Sequence, residues 1–223
     1  MPSPLRFRIL KDPWSWATHF AGFLAAIVGL VFLVSHASHN ATKLVAMTTY
    51  GVSLVTLFAA SSMYHFFDLG LNGNRWLRRI DHCAIFFLIA GSYVPVSVHL
   101  LDGAWRIGLL SVICGLALCG IILKLVWIDC PDRVGVALYL LLGWAAVVPA
   151  YKILPQLDAA GIAWLSIGGA AYTLGALIYV KKRPDPYPDV FGYHEIWHLF
   201  VLMGAASHYF MNWGLMDHPI PGL

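Results

Sequence analysis

Hydrophobic residues occur along this chain in long runs, which are separated by short segments rich in Gly, Pro, Asp and basic residues. Seven of the runs are about 20 residues long, the length that a helix needs to cross a hydrocarbon core of about 30 Å. They predict membrane-spanning helices at 15–35, 44–67, 80–100, 105–127, 134–152, 160–180 and 194–214. The separators carry turn and charge signals, as in DCPDR and KKRPDPYPDVFG.

The composition agrees with a protein that lies almost entirely in a bilayer. Hydrophobic residues make up 60% of the 223 residues, charged residues only 11%, and the mean hydropathy is +0.73. Soluble domains carry about 25% charged residues. The first run is longer than the apolar core of a signal peptide, about 7–15 residues, so we predict that it is retained. We therefore predict an all-α membrane protein whose residues 1–223 form a single seven-helix domain.

The basic residues predict how these helices are oriented. Eleven of the 14 Lys and Arg residues fall before the first predicted helix or in or next to the segments that join helices 2 and 3, 4 and 5, and 6 and 7, and three fall on the other side. Cytoplasmic loops carry the excess of basic residues, so the N-terminus is predicted inside and the C-terminus outside. The basic residues do not form one patch, so the net charge of +3 gives no indication of nucleic-acid binding. The eleven are Arg6, Arg8, Lys11, Arg75, Arg78, Arg79, Lys124, Arg133, Lys181, Lys182 and Arg183; the three are Lys43, Arg106 and Lys152.

Ionisable side chains inside membrane helices are costly and usually functional. The predicted topology brings a set of them to one depth near the cytoplasmic face, from the end of helix 2 and the starts of helices 3 and 7. Three imidazoles with a carboxylate and a water suit a zinc ion that keeps an open position. The alternative is that the histidines only form hydrogen bonds between helices. The set comprises Ser61, His65, Asp81, His194 and His198.

The stretch HEIWH, residues 194–198, matches the zinc-protease pattern H-E-x-x-H. Histidines four residues apart on a helix are rotated by about 40°, so both imidazoles can face one ion. A protease needs a third ligand, and the candidate Asp102 is predicted on the opposite side of the membrane. We therefore interpret the stretch as H-x-x-x-H. Glu195 is then expected to cap the helix or meet the basic loops, with a role as catalytic base as the alternative.

The remaining histidines have weaker predictions. His19 in the first helix either supports the metal ligands indirectly or forms an interhelical hydrogen bond. His208 lies 14 residues after His194, about 20 Å deeper in the membrane, where it either lines a polar cavity or packs between helices. We expect the side chains of four further histidines to be solvated at the outer surface: His36, His39, His99 and His218.

Three stretches together carry a family resemblance: SSMYH, RRIDHCAIFFLIAGSYVPV and HEIWHLFVLMGAASHYF. They resemble the hemolysin III proteins, the bacterial branch of the progestin and adiponectin receptor family, within a superfamily of CREST-type membrane hydrolases. The resemblance implies a multi-pass protein of the bacterial inner membrane, with zinc held by His65, His194 and His198. It also implies that Asp81 holds a zinc-bound water and that Ser61 is the matching serine of helix 2. His82 follows Asp81 as a further candidate near the site.

Three functions remain open at this point. The superfamily includes alkaline ceramidases, which implies a zinc-dependent hydrolase of lipid amides or esters, with membrane lipids as partners and lipid homeostasis as the role. Asp81 would then act as general base, and Ser61 would orient Asp81 or donate to the oxyanion. The second function is a non-catalytic sensor of membrane state with structural zinc. The third, a lytic pore, requires a continuous polar path, and the sequence argues against it because few polar residues occupy the outer halves of the helices.

Overall fold

The computed structural model describes residues 10–221, so Arg6, Arg8 and the terminal Leu223 lie outside it. Within that range the chain forms eight α-helices, and two 3-10 turns, Trp144–Val147 and Leu154–Gln156, flank the short sixth one. The helices are α1 Pro13–Ala37, α2 Ala41–Phe66, α3 Gly70–Leu100, α4 Gly103–Val126, α5 Asp132–Gly143, α6 Ala150–Ile153, α7 Ala159–Lys181 and α8 Tyr193–Leu215.

Five of these helices are both long enough and apolar enough to cross a bilayer, namely α1, α2, α3, α4 and α7. Asp132–Val147 and Ala150–Gln156 together form a sixth candidate span that is bent by 46°. Helix α8 has 23 residues, about 34 Å at about 1.5 Å per residue, but its polar side chains lower its hydropathy. The all-helical membrane architecture is therefore confirmed, with five or six spans by length and composition.

Helix α1 packs through a seam of mostly small side chains. Its buried positions recur every three or four residues, so they lie on one face. A β-carbon at Gly22 would lie 2.7 Å from the Leu202 side chain of α8 and 2.8 Å from the Phe58 side chain of α2, so a larger residue would force these side chains to move. The same face carries Ser15 and His19 at its N-terminal end. Close packing of α1 therefore brings two polar side chains against the ends of α2 and α8.

Helices α2 and α3 form the centre of the bundle. In each of them 56% of the apolar stretch is buried, against 22% in α1 and in α4. The outer helices expose large apolar side chains such as Phe32 on α1 and Leu118 on α4. Their exposed faces are those expected to contact lipid.

The third predicted helix is longer than its apolar run. It begins at Gly70, ten residues before the predicted start at 80, so Arg75, Arg78 and Arg79 are helical and not in a loop. Gly70 has a φ of +72°, which permits the turn that starts the helix. Asp68 accepts hydrogen bonds there from Gly70 N, at 3.2 Å, and Asn74 Nδ2, at 2.8 Å. Hydropathy marks only the part of a helix that matches the lipid, which explains the error.

The fifth predicted helix, 134–152, is broken. Helix α5 ends at Gly143, and Pro149 precedes the short α6, where a proline cannot donate a helical hydrogen bond. Tyr93 of α3 reaches the break: its hydroxyl donates to Leu142 O at 2.8 Å and accepts from Ala146 N at 2.9 Å. A side chain from a neighbouring helix thus satisfies backbone groups that the bend leaves free, as the membrane interior requires.

Two polar residues lie deeper than predicted. Lys124, placed in a loop by its charge, belongs to the last turn of α4 and is 2% exposed, with Nζ donating to Cys130 Sγ at 3.1 Å. His99, predicted to be solvated, is 1% exposed, and its Nδ1 donates to Pro95 O at 2.9 Å. His36 and His39 are exposed as predicted, and His218 is partly buried. Each of the two residues has one local acceptor, but Nε2 of His99 is buried without a hydrogen-bond partner.

The contact between α2 and α3 predicts a selective effect of glycine replacement. A β-carbon at buried Gly91 would lie 2.3 Å from Ser53 Oγ and 2.6 Å from Ser53 Cβ, whereas one at Gly115 of α4 meets nothing within 4 Å. We expect Gly91→Ala to destabilise the protein by about 1–3 kcal/mol through overpacking. Gly115→Ala, the control, should be neutral or slightly stabilising. Thermal unfolding of the purified variants measures both, and equal midpoints would contradict the packing described.

Candidate metal centre

Three histidines from two helices meet at one end of the bundle. His65 lies in the last turn of α2, and His194 and His198 lie in the first two turns of α8. One ring nitrogen from each lies within 4.8 Å of the other two, so these residues are close enough to hold one metal ion. His65 and His198 are buried and His194 is partly buried.

Glu195 secures the start of α8 and is fully engaged in doing so. One carboxylate oxygen accepts from Gly192 N at 2.8 Å, which caps the helix, and the other accepts from Ser15 Oγ at 2.6 Å. The cap stabilises the first turn of α8, which contains His194. The hydrogen bond from Ser15 connects that turn to α1. The contacts of Glu195 are thus those of a helix cap.

The hydrogen bonds of two histidines define which nitrogen faces the cluster. His65 Nδ1 lies 2.9 Å from Asp12 Oδ2, and His198 Nδ1 lies 3.2 Å from Ser15 O. An ionised carboxylate and a carbonyl only accept, so both Nδ1 atoms are assigned as donors. A neutral imidazole of that tautomer presents its lone pair at Nε2, the form in which histidine binds a metal.

The geometry fits zinc. Zinc–nitrogen bonds of about 2.0–2.1 Å in a tetrahedral site place two ligand nitrogens about 3.4 Å apart. His65 Nε2 and His194 Nε2 are 3.4 Å apart. The ring centroids of His65 and His198 are 4.9 Å apart, those of His194 and His198 are 4.7 Å apart, and a ring nitrogen of His198 lies within 4.8 Å of one on each of the other two. The donor set is three imidazoles, which leaves a fourth tetrahedral position.

Asp81 and Ser61 lie beside this cluster but play different parts in the structure. Asp81, on α3, is partly buried and has Ser61 and His65 as neighbours. The Ser61 hydroxyl forms a 2.7 Å hydrogen bond with His19 Nδ1. The serine is thus held by α1, and Asp81 approaches Ser61 and His65 from the third helix.

The other candidate histidines lie in three different environments. His19 is stacked on His198, with ring centroids 3.6 Å apart and planes 9° apart, so it supports a cluster member by packing. His82 pairs with the Tyr139 hydroxyl of α5 at 3.4 Å. His208 is packed against Gly168 and Tyr172 of α7, away from the cluster.

Asp12 is a site residue that the sequence reasoning missed. Partial burial alone would raise the pKa of its carboxyl, but the hydrogen bond from His65 and the charge of Lys11 outweigh it and lower the pKa below its usual value. Asp12 is therefore an anion that accepts from a candidate ligand. It lies before the first apolar run and 53 residues from His65, so no helical spacing relates the two. The only signal was an acidic residue directly before a Pro at a helix start.

Comparisons with known proteins agree with the motifs. The family model described as haemolysin-III related matches residues 7–209. The chain is 33% identical to the Hemolysin-3 homolog of Bacillus subtilis (strain 168), over 92% of this chain and 93% of that protein. It is also 33% identical to Hemolysin-3 of Bacillus cereus, over 86% of each. It is 27% identical to the adiponectin receptor protein of Drosophila melanogaster, over 91% of this chain and 50% of that protein.

The likeness extends over nearly the whole chain, and it includes every helix that supplies a residue to the histidine cluster. Several of those helices are apolar and long enough to cross a bilayer. This multi-pass membrane protein therefore belongs to the hemolysin III family, which is related to the adiponectin receptors.

Proposed function

We propose that this protein is a zinc-dependent hydrolase of membrane lipids, which cleaves an amide or ester bond and acts in membrane lipid homeostasis. One observation carries the proposal: ring nitrogens of three histidines from α2 and α8 lie within 4.8 Å of one another, and Asp81 of α3 is a neighbour of one of them, His65. Three protein ligands and one open position are typical of catalytic zinc, whereas structural zinc usually has four protein ligands.

Each residue of the site has a separate role in the proposed reaction. Zinc held by His65, His194 and His198 supplies a Lewis acid that polarises a carbonyl and acidifies a water. Asp81 accepts the proton of the attacking water, because a general base must lie beside the reacting centre. Ser61, one turn before His65 on α2, is near enough to Asp81 to hold its carboxylate or to donate to the oxyanion after a rotamer change.

The proposed topology places this chemistry at the cytoplasmic face of the membrane. In it, α8 is the seventh span, the bent pair α5–α6 is the fifth, and the N-terminus is cytoplasmic. Lys11 supports this, because it bonds Tyr64 O beside the histidine cluster and so puts one of the eleven basic residues at that end. The excess of basic residues at that end follows the positive-inside rule.

A second candidate function, a non-catalytic sensor of membrane state, is favoured by one contact. The Ser61 hydroxyl is bound to His19 at 2.7 Å, so it serves packing between α1 and α2 in this structure. In such a sensor, zinc would tie α2 to α8 without turnover. The two functions differ in what Asp81 does, because only the hydrolase needs its carboxylate to take up a proton.

Metal analysis tests the ligand set. We expect about one zinc per purified chain, because three imidazoles form one site. His65→Ala, His194→Ala or His198→Ala should abolish it, while the exposed His39→Ala should retain it. Loss of zinc should also lower the thermal midpoint, because a metal bound only by the folded state stabilises that state. Full zinc occupancy in His65→Ala would rule out the three-histidine site.

Reporter fusions test the topology. A reporter fused after Leu223 should be exposed outside the cytoplasm, and one inserted in the 182–189 loop should remain inside. The reason is that only three of the 14 basic residues lie on the predicted outer side. A cytoplasmic C-terminal reporter would show an even number of spans. The positive-inside rule would then no longer support a metal site at the cytoplasmic face.

Asp81→Asn separates the hydrolase from the sensor. The amide keeps the size of the side chain but cannot take up a proton, so zinc content and folding should be unchanged. Lipid hydrolysis, or complementation of a deletion strain, should fall by about 10²–10⁴, the usual contribution of a general base. Zinc content and activity are measured on the same preparation. Zinc retained with full function would exclude Asp81 as the base and favour the sensor.

A further inference from the structure

The segment Lys11–Ser15, here called the docking segment, supplies no metal ligand but is bound to both helices that do. Its backbone is attached to the end of α2: Asp12 N donates to His65 O at 2.9 Å, and Lys11 N donates to Phe66 O at 3.2 Å. The Lys11 ammonium donates to Tyr64 O at 3.0 Å and lies 3.5 Å from the centroid of the Tyr64 ring. The segment is therefore held against the last turn of α2 by three hydrogen bonds.

The other contacts of the docking segment reach the candidate ligands themselves. The Asp12 carboxylate accepts from His65 Nδ1 at 2.9 Å, and the Ser15 carbonyl accepts from His198 Nδ1 at 3.2 Å. The Ser15 hydroxyl also donates to Glu195, the residue that caps α8. Two imidazoles on different helices thus take their tautomer and orientation from five consecutive residues.

We propose that the docking segment is a positioning element for the metal centre, so that metal binding and docking of this segment stabilise each other. The inference rests on the proposed zinc site. A carboxylate that accepts from a ligating histidine fixes the ring and increases the basicity of its other nitrogen. Loss of such a partner usually lowers metal affinity by about 10–100-fold. Reciprocity follows from linkage: if the docked segment strengthens zinc binding, zinc strengthens docking by the same factor.

Zinc affinity measured by competition with a chromophoric chelator tests whether the docking segment strengthens zinc binding. The purified full chain is compared with Asp12→Ala and Asp12→Asn, and the control is Asp189→Asn, an exposed carboxylate in the 182–192 loop. We expect the zinc dissociation constant of Asp12→Ala to rise by about 10–100-fold. Asp12→Asn, whose amide oxygen still accepts, should be intermediate, and the control unchanged. All variants should still bind about one zinc at saturation, because Asp12 is not a ligand.

Limited trypsin digestion tests whether zinc binding in turn stabilises the docked segment. Cleavage after Lys11 requires the docked segment to detach, and intact-mass measurement reports this cut separately from others. Zinc should slow it in the wild type and in Asp189→Asn, and much less in Asp12→Ala. Equal protection by zinc in wild type and Asp12→Ala would overturn the proposed coupling.

The outcomes distinguish this proposal from the one on which it rests. A wild-type protein that binds no zinc would overturn the zinc site itself. Zinc bound by the wild type with an unchanged dissociation constant in both Asp12 variants would overturn the positioning role and leave the zinc site standing. Size-exclusion profiles check folding, and Asp12→Asn, which keeps the side-chain shape, carries the test if Asp12→Ala fails to fold.

Discussion

Close packing of α1 against α2 and α8 is the constraint on which the rest of the candidate site depends. A β-carbon at Gly22 would lie within 3 Å of the Leu202 and Phe58 side chains, so the glycine lets these side chains of α8 and α2 pack directly against α1. The same face of α1 ends in Ser15 and His19. With α1 packed in this way, Ser15 reaches Glu195 and His198, and His19 reaches Ser61. An apolar contact in the bundle thereby sets the geometry of a polar site at its end.

The polar groups of the site are arranged as a chain of pairs. Buried polar atoms without partners are costly, and inside a bilayer water is not there to compensate. His19 pairs with Ser61, His65 with Asp12, and Glu195 with Ser15. His19 and His65 form their pairs through Nδ1, and Nε2 of His65 lies 3.4 Å from Nε2 of His194. A shared cation between those nitrogens would complete the arrangement, which is why we favour a metal centre over simple interhelical bonding.

Hydropathy was sufficient to predict an all-helical membrane protein, and the predicted order of the helices across the membrane brought His65 together with His194 and His198. Hydropathy and helix order failed where a side chain distant in sequence determines the backbone conformation or a tertiary contact. The break after Gly143 is stabilised by Tyr93 of another helix, and Lys124 is buried beside Cys130. The bond between Asp12 and His65 joins two segment ends, where periodicity carries no information. The family resemblance supplied the expected role of Asp81, which spacing alone cannot assign.

X-ray absorption at the zinc edge of the purified, zinc-loaded protein tests the central claim most directly, because it reports the atoms bound to the ion itself. The account predicts a four-coordinate ion with nitrogen and oxygen neighbours at about 2.0–2.1 Å and the outer-shell scattering of about three imidazoles. Sulfur neighbours at about 2.3 Å, as cysteine ligands would give, or a spectrum without imidazole scattering, would contradict it.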